Sequence, residues 1–135
     1  MRVVADSHAL VWYLLDDDGT KLSPKASAAL AEAERDGGIA VSVVSLVDLW
    51  YVTQTTAAIS PATLAAVHAL LTDPESALDP VPVTVEVAAA YETIPLQILR
   101  DPWDRFIVAT ANVLNAPLVT ADSKIADSGL VEVLW

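Results

Sequence analysis

Four aspartates carry the chemistry this chain could perform: Asp6 in RVVADSHALVW, Asp48 in IAVSVVSLVDLW, Asp104 in RDPWDRFIVATA and Asp122 in APLVTADSKI. Each reads as lying where a short apolar strand hands over to a helix. In an α/β sheet the carboxyl ends of the strands share one edge, and ligands bind in the crevice outside it. Carboxylates converging there repel one another unless a divalent cation neutralises them. The pattern predicts a metal site and hydrolytic chemistry.

Each aspartate also has a purely local account. Asp6 and Asp122 are placed to cap the helices that follow them. Ser45 to Asp48 and Asp101 to Asp104 have the spacing of a capping box, with Asp in place of the usual Glu or Gln. Two features point beyond capping. Asp104 shares a helix face with Ile107, Val108 and Ala111, and Asp48 is embedded in Leu46-Val47-Asp48-Leu49-Trp50. A carboxylate turned toward a core is costly unless it is paired or binds a metal. With no cysteine in the chain, such an oxygen donor set suits hard Mg²⁺ or Mn²⁺ rather than Zn²⁺. Two ions about 3.5–4 Å apart would suit hydrolysis of a phosphodiester. Capping and metal ligation are compatible, because a helix N-terminus itself favours a nearby carboxylate.

Ser7 and Thr120 lie beside these acids and are candidates to hold a water or a phosphate oxygen; local capping is their simpler role. His8 is a candidate general base, although a structural histidine accounts for it as well. Arg100, Arg105 and Lys124 are the cations near the acids in sequence, and each could meet a phosphate. Trp12, Trp50 and Tyr51 read as core or interface aromatics.

The elements that must position these groups alternate in type. Arg2–Ala5 predicts a strand and Ser7–Leu15 a helix, with a turn at Asp16–Asp18 and Gly19. Ser23-Pro24 starts a helix that Gly37-Gly38 stops. Ile39–Val44 reads as a strand covered on both faces, with Ser45 opening a helix to about Thr55. Ser60-Pro61 opens another helix to about Leu71, Thr72–Pro82 reads as a solvated loop, and Val81–Val83 as a short strand followed by a helix through Tyr91. A long helix runs from Asp101-Pro102 to about Asn115. Strand Pro117–Thr120, helix Ser123–Asp127 and strand Val131–Leu134 complete the chain. This is an α/β fold with a mainly parallel sheet, in one domain spanning 1–135.

Composition bounds the setting. No apolar run approaches the roughly 18–20 residues of a membrane span, and the N-terminus lacks a signal-peptide pattern, so a cytoplasmic protein without membrane contact is expected. The net charge of -11, with only 7 Lys and Arg, is unusual for a nucleic-acid binder and suits a basic protein partner. The apolar faces of Ser7–Leu15 and Ser45–Ala58 exceed what one small sheet buries, which predicts subunit or partner contacts.

The motifs D-S-H-A-L-x-W, V-S-x-x-S-L-x-D, R-D-P-W-D-R-F-I-V-A-T-A and L-V-T-A-D, with the terminal V-E-V-L-W, resemble PIN-domain ribonucleases. Among these the chain looks most like the toxin component of VapBC-type toxin–antitoxin pairs. The resemblance implies a Rossmann-like PIN fold, a three-layer sandwich with Mg²⁺- or Mn²⁺-dependent endoribonuclease activity on RNA. It also implies a homodimer, and a VapB-like antitoxin that binds and neutralises the chain in a hetero-oligomer. Carried over by motif, Asp6 and Asp104 are metal ligands, Asp122 completes the cluster, and Asp101 orients Asp104 or holds a water. Asp48 occupies the catalytic place where the family usually has glutamate, one methylene longer. A second departure is Tyr51–Ala58, uncharged where the family often carries a lysine. Two other function classes compete. A small-molecule phosphate-ester hydrolase would call for D-x-D after the first strand, where the chain has Asp6-Ser7-His8. An acidic binding module with degenerate activity would take Asp48 as its first sign of decay.

Overall fold

The structure is a computed structural model that describes residues 1–16 and 19–135. Five short strands form one sheet: β1 (Val3–Ala5), β2 (Ile39–Ser42), β3 (Leu78–Val81), β4 (Leu118–Val119) and β5 (Val133–Leu134). Their spatial order is β3-β2-β1-β4-β5, and every pairing is parallel. Among the described residues seven helices connect them: α1 (Ser7–Leu15), α2 (Pro24–Arg35), α3 (Val43–Thr55), α4 (Pro61–Thr72), α5 (Val85–Glu92), α6 (Pro102–Leu114) and α7 (Ser123–Ser128). The α/β architecture and parallel sheet are those expected from the alternation of elements.

The strands alternate their side chains between two cores, as a pleated backbone requires. Val3, Ala5, Ile39, Val41 and Val119 join Leu10, Leu30, Leu49 and Val67 on one side. Val4, Ala40 and Leu118 join Val87, Ile107, Val108 and Ile125 on the other. With both faces covered, the inner strands β1, β2 and β4 are apolar apart from Ser42 at the end of β2, and the result is a three-layer sandwich. Gly37, at φ 102°, is confined by more than its dihedral: a Cβ there would lie 2.6 Å from the Arg2 backbone nitrogen. The turn into β2 thus packs directly on the start of β1.

Three boundaries differ from expectation. The Ile39–Val44 run divides: β2 ends at Ser42, whose hydroxyl caps α3 by accepting from the Val44 N–H at 3.2 Å. Ser45 is therefore inside the helix rather than its cap, and the capping box to Asp48 does not form. Val43 and Val44 favour strands, but a capped helix start outweighs that weak preference. The third strand is Leu78–Val81 rather than Val81–Val83, so the Thr72–Pro82 stretch is only partly loop. Its Asp79 and Pro80 are tolerated because β3 is an edge strand, where a missing N–H can face outward. The last strand begins at Val133 rather than Val131. In the first turn, Asp16 caps the C-terminus of α1 and Gly19 takes φ 64°, while Asp17 and Asp18 lie outside the described residues.

Candidate active site

Chain order and strand order diverge at β1. The chain moves outward from β1 to β2 to β3, then returns to the other side of β1 as β4. Such a switch of direction leaves a crevice at the carboxyl ends of the two diverging strands. Asp6 directly follows β1, and Thr120 and Asp122 directly follow β4. The Thr120 hydroxyl donates to Asp6 Oδ2 at 2.7 Å and so closes the crevice floor across 114 residues of chain. The same hydroxyl accepts from the Asp122 N–H at 3.1 Å.

Asp6 is held on its other side as well. Its Oδ1 accepts from the Ser7 N–H at 2.6 Å, capping α1. The buried Ser7 hydroxyl donates to Asp48 Oδ2 at 2.8 Å, tying α3 to the start of α1. Burial raises the pKa of Asp6 and Asp48 adds repulsion; the bonds from Thr120 and Ser7 and the proximity of His8 oppose this.

Two of the four aspartates do not sit where a strand hands over to a helix. Asp48 is the sixth residue of α3, and its side chain reaches back to the crevice. Asp104 is in the first turn of α6, which follows the connection of residues 93–101 rather than a strand. Asp101 caps that helix, its Oδ1 accepting from the Trp103 and Asp104 N–H groups at 2.8 and 3.3 Å. Ile107, Val108 and Ala111 are buried as the helical spacing predicted, and Asp104 is half-buried above them.

Asp6, Asp48, Asp101, Asp104 and Asp122 all line one cleft of about 750 Å³. Asp104 records their proximity. Its pKa is pushed up to about 7, first by desolvation and then by repulsion from Asp101, Asp122, Asp6 and Asp48. Asp127 of α7 lines the same cleft and was not among the residues singled out; it stands three residues after Lys124, one helical turn away, and that spacing was its only signal. Arg100, Lys124, His8 and Trp103 also contribute to the lining. Arg105 does not: its guanidinium is buried and turned to the far side of α6.

A metal ion would have to be held by these carboxylates. Among the described residues, no three or more His, Cys, Asp or Glu side chains are already closed into a metal-holding group. The donor chemistry nevertheless fits a hard divalent cation. Asp104 has no hydrogen-bond donor among the described residues, and Asp101 and Asp122 each spend only Oδ1 on a backbone N–H. Several oxygens therefore face the cleft uncompensated, which raises Asp104 as a cation would reverse. No helix among the described residues is long and apolar enough to cross a membrane.

Comparison with known proteins agrees with this fold. The PIN domain family model matches residues 3–129. A chain of VapBC2 from Rickettsia felis, solved bound to a DNA fragment from its promoter, superposes with a TM-score of 0.71 at 15% identity, covering 98% of this chain and 97% of that one. A chain of DNA-bound VapBC from Salmonella typhimurium gives 0.69 at 14% identity, covering 98% and 96%. FitAcB from Neisseria gonorrhoeae gives 0.65 at 17% identity, with the same coverage. No curated protein matches the sequence. The chain belongs to the PIN domain family.

Proposed function

We propose that this protein is the toxin of a toxin–antitoxin pair, a single-domain PIN endoribonuclease dependent on Mg²⁺ or Mn²⁺. The observation that carries the reading is the convergence of Asp6, Asp48, Asp101, Asp104 and Asp122, from both sides of the topological switch, on one cleft. Such a cluster is poorly suited to binding an anion unaided and well suited to doing so through a cation. The structural likeness to VapBC and FitAB chains supports the toxin role and a cognate antitoxin; a homodimer and a toxin–antitoxin hetero-oligomer in the cytoplasm belong to the same proposal.

In this reading Asp6, Asp104 and Asp122 hold the metal, and Asp48 completes the catalytic set. A divalent cation held there would supply positive charge for a phosphodiester and would acidify a water. The chain does the positioning. Thr120 and Ser7 fix both oxygens of Asp6, and Ser7 also restrains Asp48, so two carboxylates move together. Asp101 stiffens the helix start beneath Asp104. Among the described residues, Arg100 and Lys124 are the Lys and Arg side chains that line the cleft, one from the 93–101 connection and one from α7, and they are placed to meet RNA phosphates.

The test is induced expression of wild type beside Asp6→Asn, Asp104→Asn and the double variant, with growth and total RNA followed. Growth arrest with RNA cleavage from the wild type alone, at equal soluble protein, is the expected result. Arrest that persists in the double variant would overturn carboxylate-dependent cleavage. A small partner with a basic tail, encoded beside this chain, is expected to relieve the arrest.

A further inference from the structure

Arg105 is 4% exposed, yet among the described residues no carboxylate pairs with it. Its Nη1 donates to the Leu99 carbonyl at 2.7 Å and its Nη2 to the Tyr91 carbonyl at 2.9 Å. The guanidinium carbon lies 4.5 Å from the centroid of the Tyr91 ring, and the buried Nε has no partner among the described residues. A buried cation without a counterion is costly, and a methionine would fill the same volume more cheaply. What the planar fork does that neither methionine nor lysine can is reach two carbonyls at once.

Those two carbonyls bracket the connection from α5 to α6. Tyr91 is in the last turn of α5, where the helix dipole favours a cation. Leu99 closes a turn of its own, its N–H donating to the Pro95 carbonyl, and is itself buried. Arg100 and Asp101 follow at once and line the cleft. The Arg105 N–H completes the tie by donating to the Asp101 carbonyl at 3.0 Å. Side chain and backbone of one residue thus fix both ends of the segment that forms one cleft wall and caps the helix bearing Asp104.

We propose that Arg105 is a positioning residue of the nuclease: it locks residues 93–101 against α6, so that Arg100 and Asp104 meet the RNA strand in a fixed register. The proposal rests on the nuclease reading above, and its test separates the two. Amide hydrogen exchange, RNA cleavage and thermal melting are measured for wild type, Arg105→Lys and Arg105→Met. Both variants are expected to lose protection at the Leu99, Trp103 and Asp104 amides while the strand amides of β1 and β2 keep theirs. Values of kcat are expected to fall roughly 10- to 100-fold with KM changed less than about threefold, the signature of a misplaced catalytic group rather than lost binding. In Arg105→Ala, millimolar guanidinium ion is expected to restore part of kcat. Wild-type protection of those amides in Arg105→Lys and Arg105→Met would overturn the proposal, as would unchanged kcat. A wild type that cleaves no RNA would instead count against the nuclease reading, and the exchange result would still decide whether Arg105 holds the wall.

Discussion

Replacing Asp104 by asparagine should make the metal-free protein more stable, and the gain should depend on pH. Asp104 is raised from 3.8 to about 7 by desolvation and by four neighbouring carboxylates. Its folded pKa is above its unfolded one, so the folded state binds the extra proton between those values. Stability is therefore highest below about 4, falls as pH rises toward 7, and levels off above it. A shift of about 3 units corresponds to roughly 4 kcal/mol. Asp104 is only half-buried, so solvent screening reduces this to about 2 kcal/mol. For a chain of this size that is roughly 6–10 °C in Tm. Calorimetric melts in EDTA at pH 8 and pH 4 should show Asp104→Asn above wild type by that margin at pH 8 and nearly level with it at pH 4. Mg²⁺ or Mn²⁺ should then raise the Tm of wild type and leave the variant behind. An asparagine variant no more stable than wild type at pH 8 would refute the claim that these carboxylates strain one another.

Thr120→Val removes the donor to Asp6 Oδ2, so the pKa of Asp6 should rise further; the acidic limb of the pH–rate profile should move to higher pH, and stability at pH 7 should fall by about 1–2 kcal/mol. An acidic limb that stays in place would show that Thr120 does not tune Asp6. Asp48→Glu restores the family's longer arm and should tighten Mn²⁺ binding in calorimetry, with equal or tighter binding by wild type counting against it. Ser45→Ala deletes a buried hydroxyl without a partner and should be neutral or stabilise by about 1 kcal/mol in urea titrations. Ser42→Ala, by contrast, removes the cap of α3 and should cost about 1 kcal/mol in the same titrations.

Much of this architecture was legible because its physics is local. Strands buried on both faces are continuous apolar runs, and helices announce themselves by Ser-Pro starts and by the spacing that placed Ile107, Val108 and Ala111 beneath Asp104. Other features depend on partners far away in the chain. Ser45 was the expected start of α3, and only the length of strand that pairs with β3 hands the cap to Ser42. Arg105 belongs to the polar face of α6 by helical spacing alone. It is buried because the end of α5 and the turn at Leu99 fold over it, and periodicity within one helix carries no trace of them.

The capping account of the aspartates and the metal account are not rivals in the folded chain. Asp101 and Asp122 each give Oδ1 to a backbone N–H at a helix start and leave Oδ2 without a protein donor. The cap bond restrains the side chain of a residue that lines the cleft, at no extra conformational cost. Asp6 goes further, with one oxygen on the Ser7 N–H and the other on Thr120, and each oxygen keeps acceptor capacity in the cleft it lines. Asp48 and Asp104 have no capping role; Asp48 accepts from the Ser7 hydroxyl, while Asp104 has no donor among the described residues, and it is the one pushed up to about 7. Local helix chemistry can therefore assemble most of such a site at little cost. The strain concentrates in Asp104, the carboxylate that neither a helix cap nor a hydroxyl donor serves, and that residue is where loss of function and gain of stability should coincide.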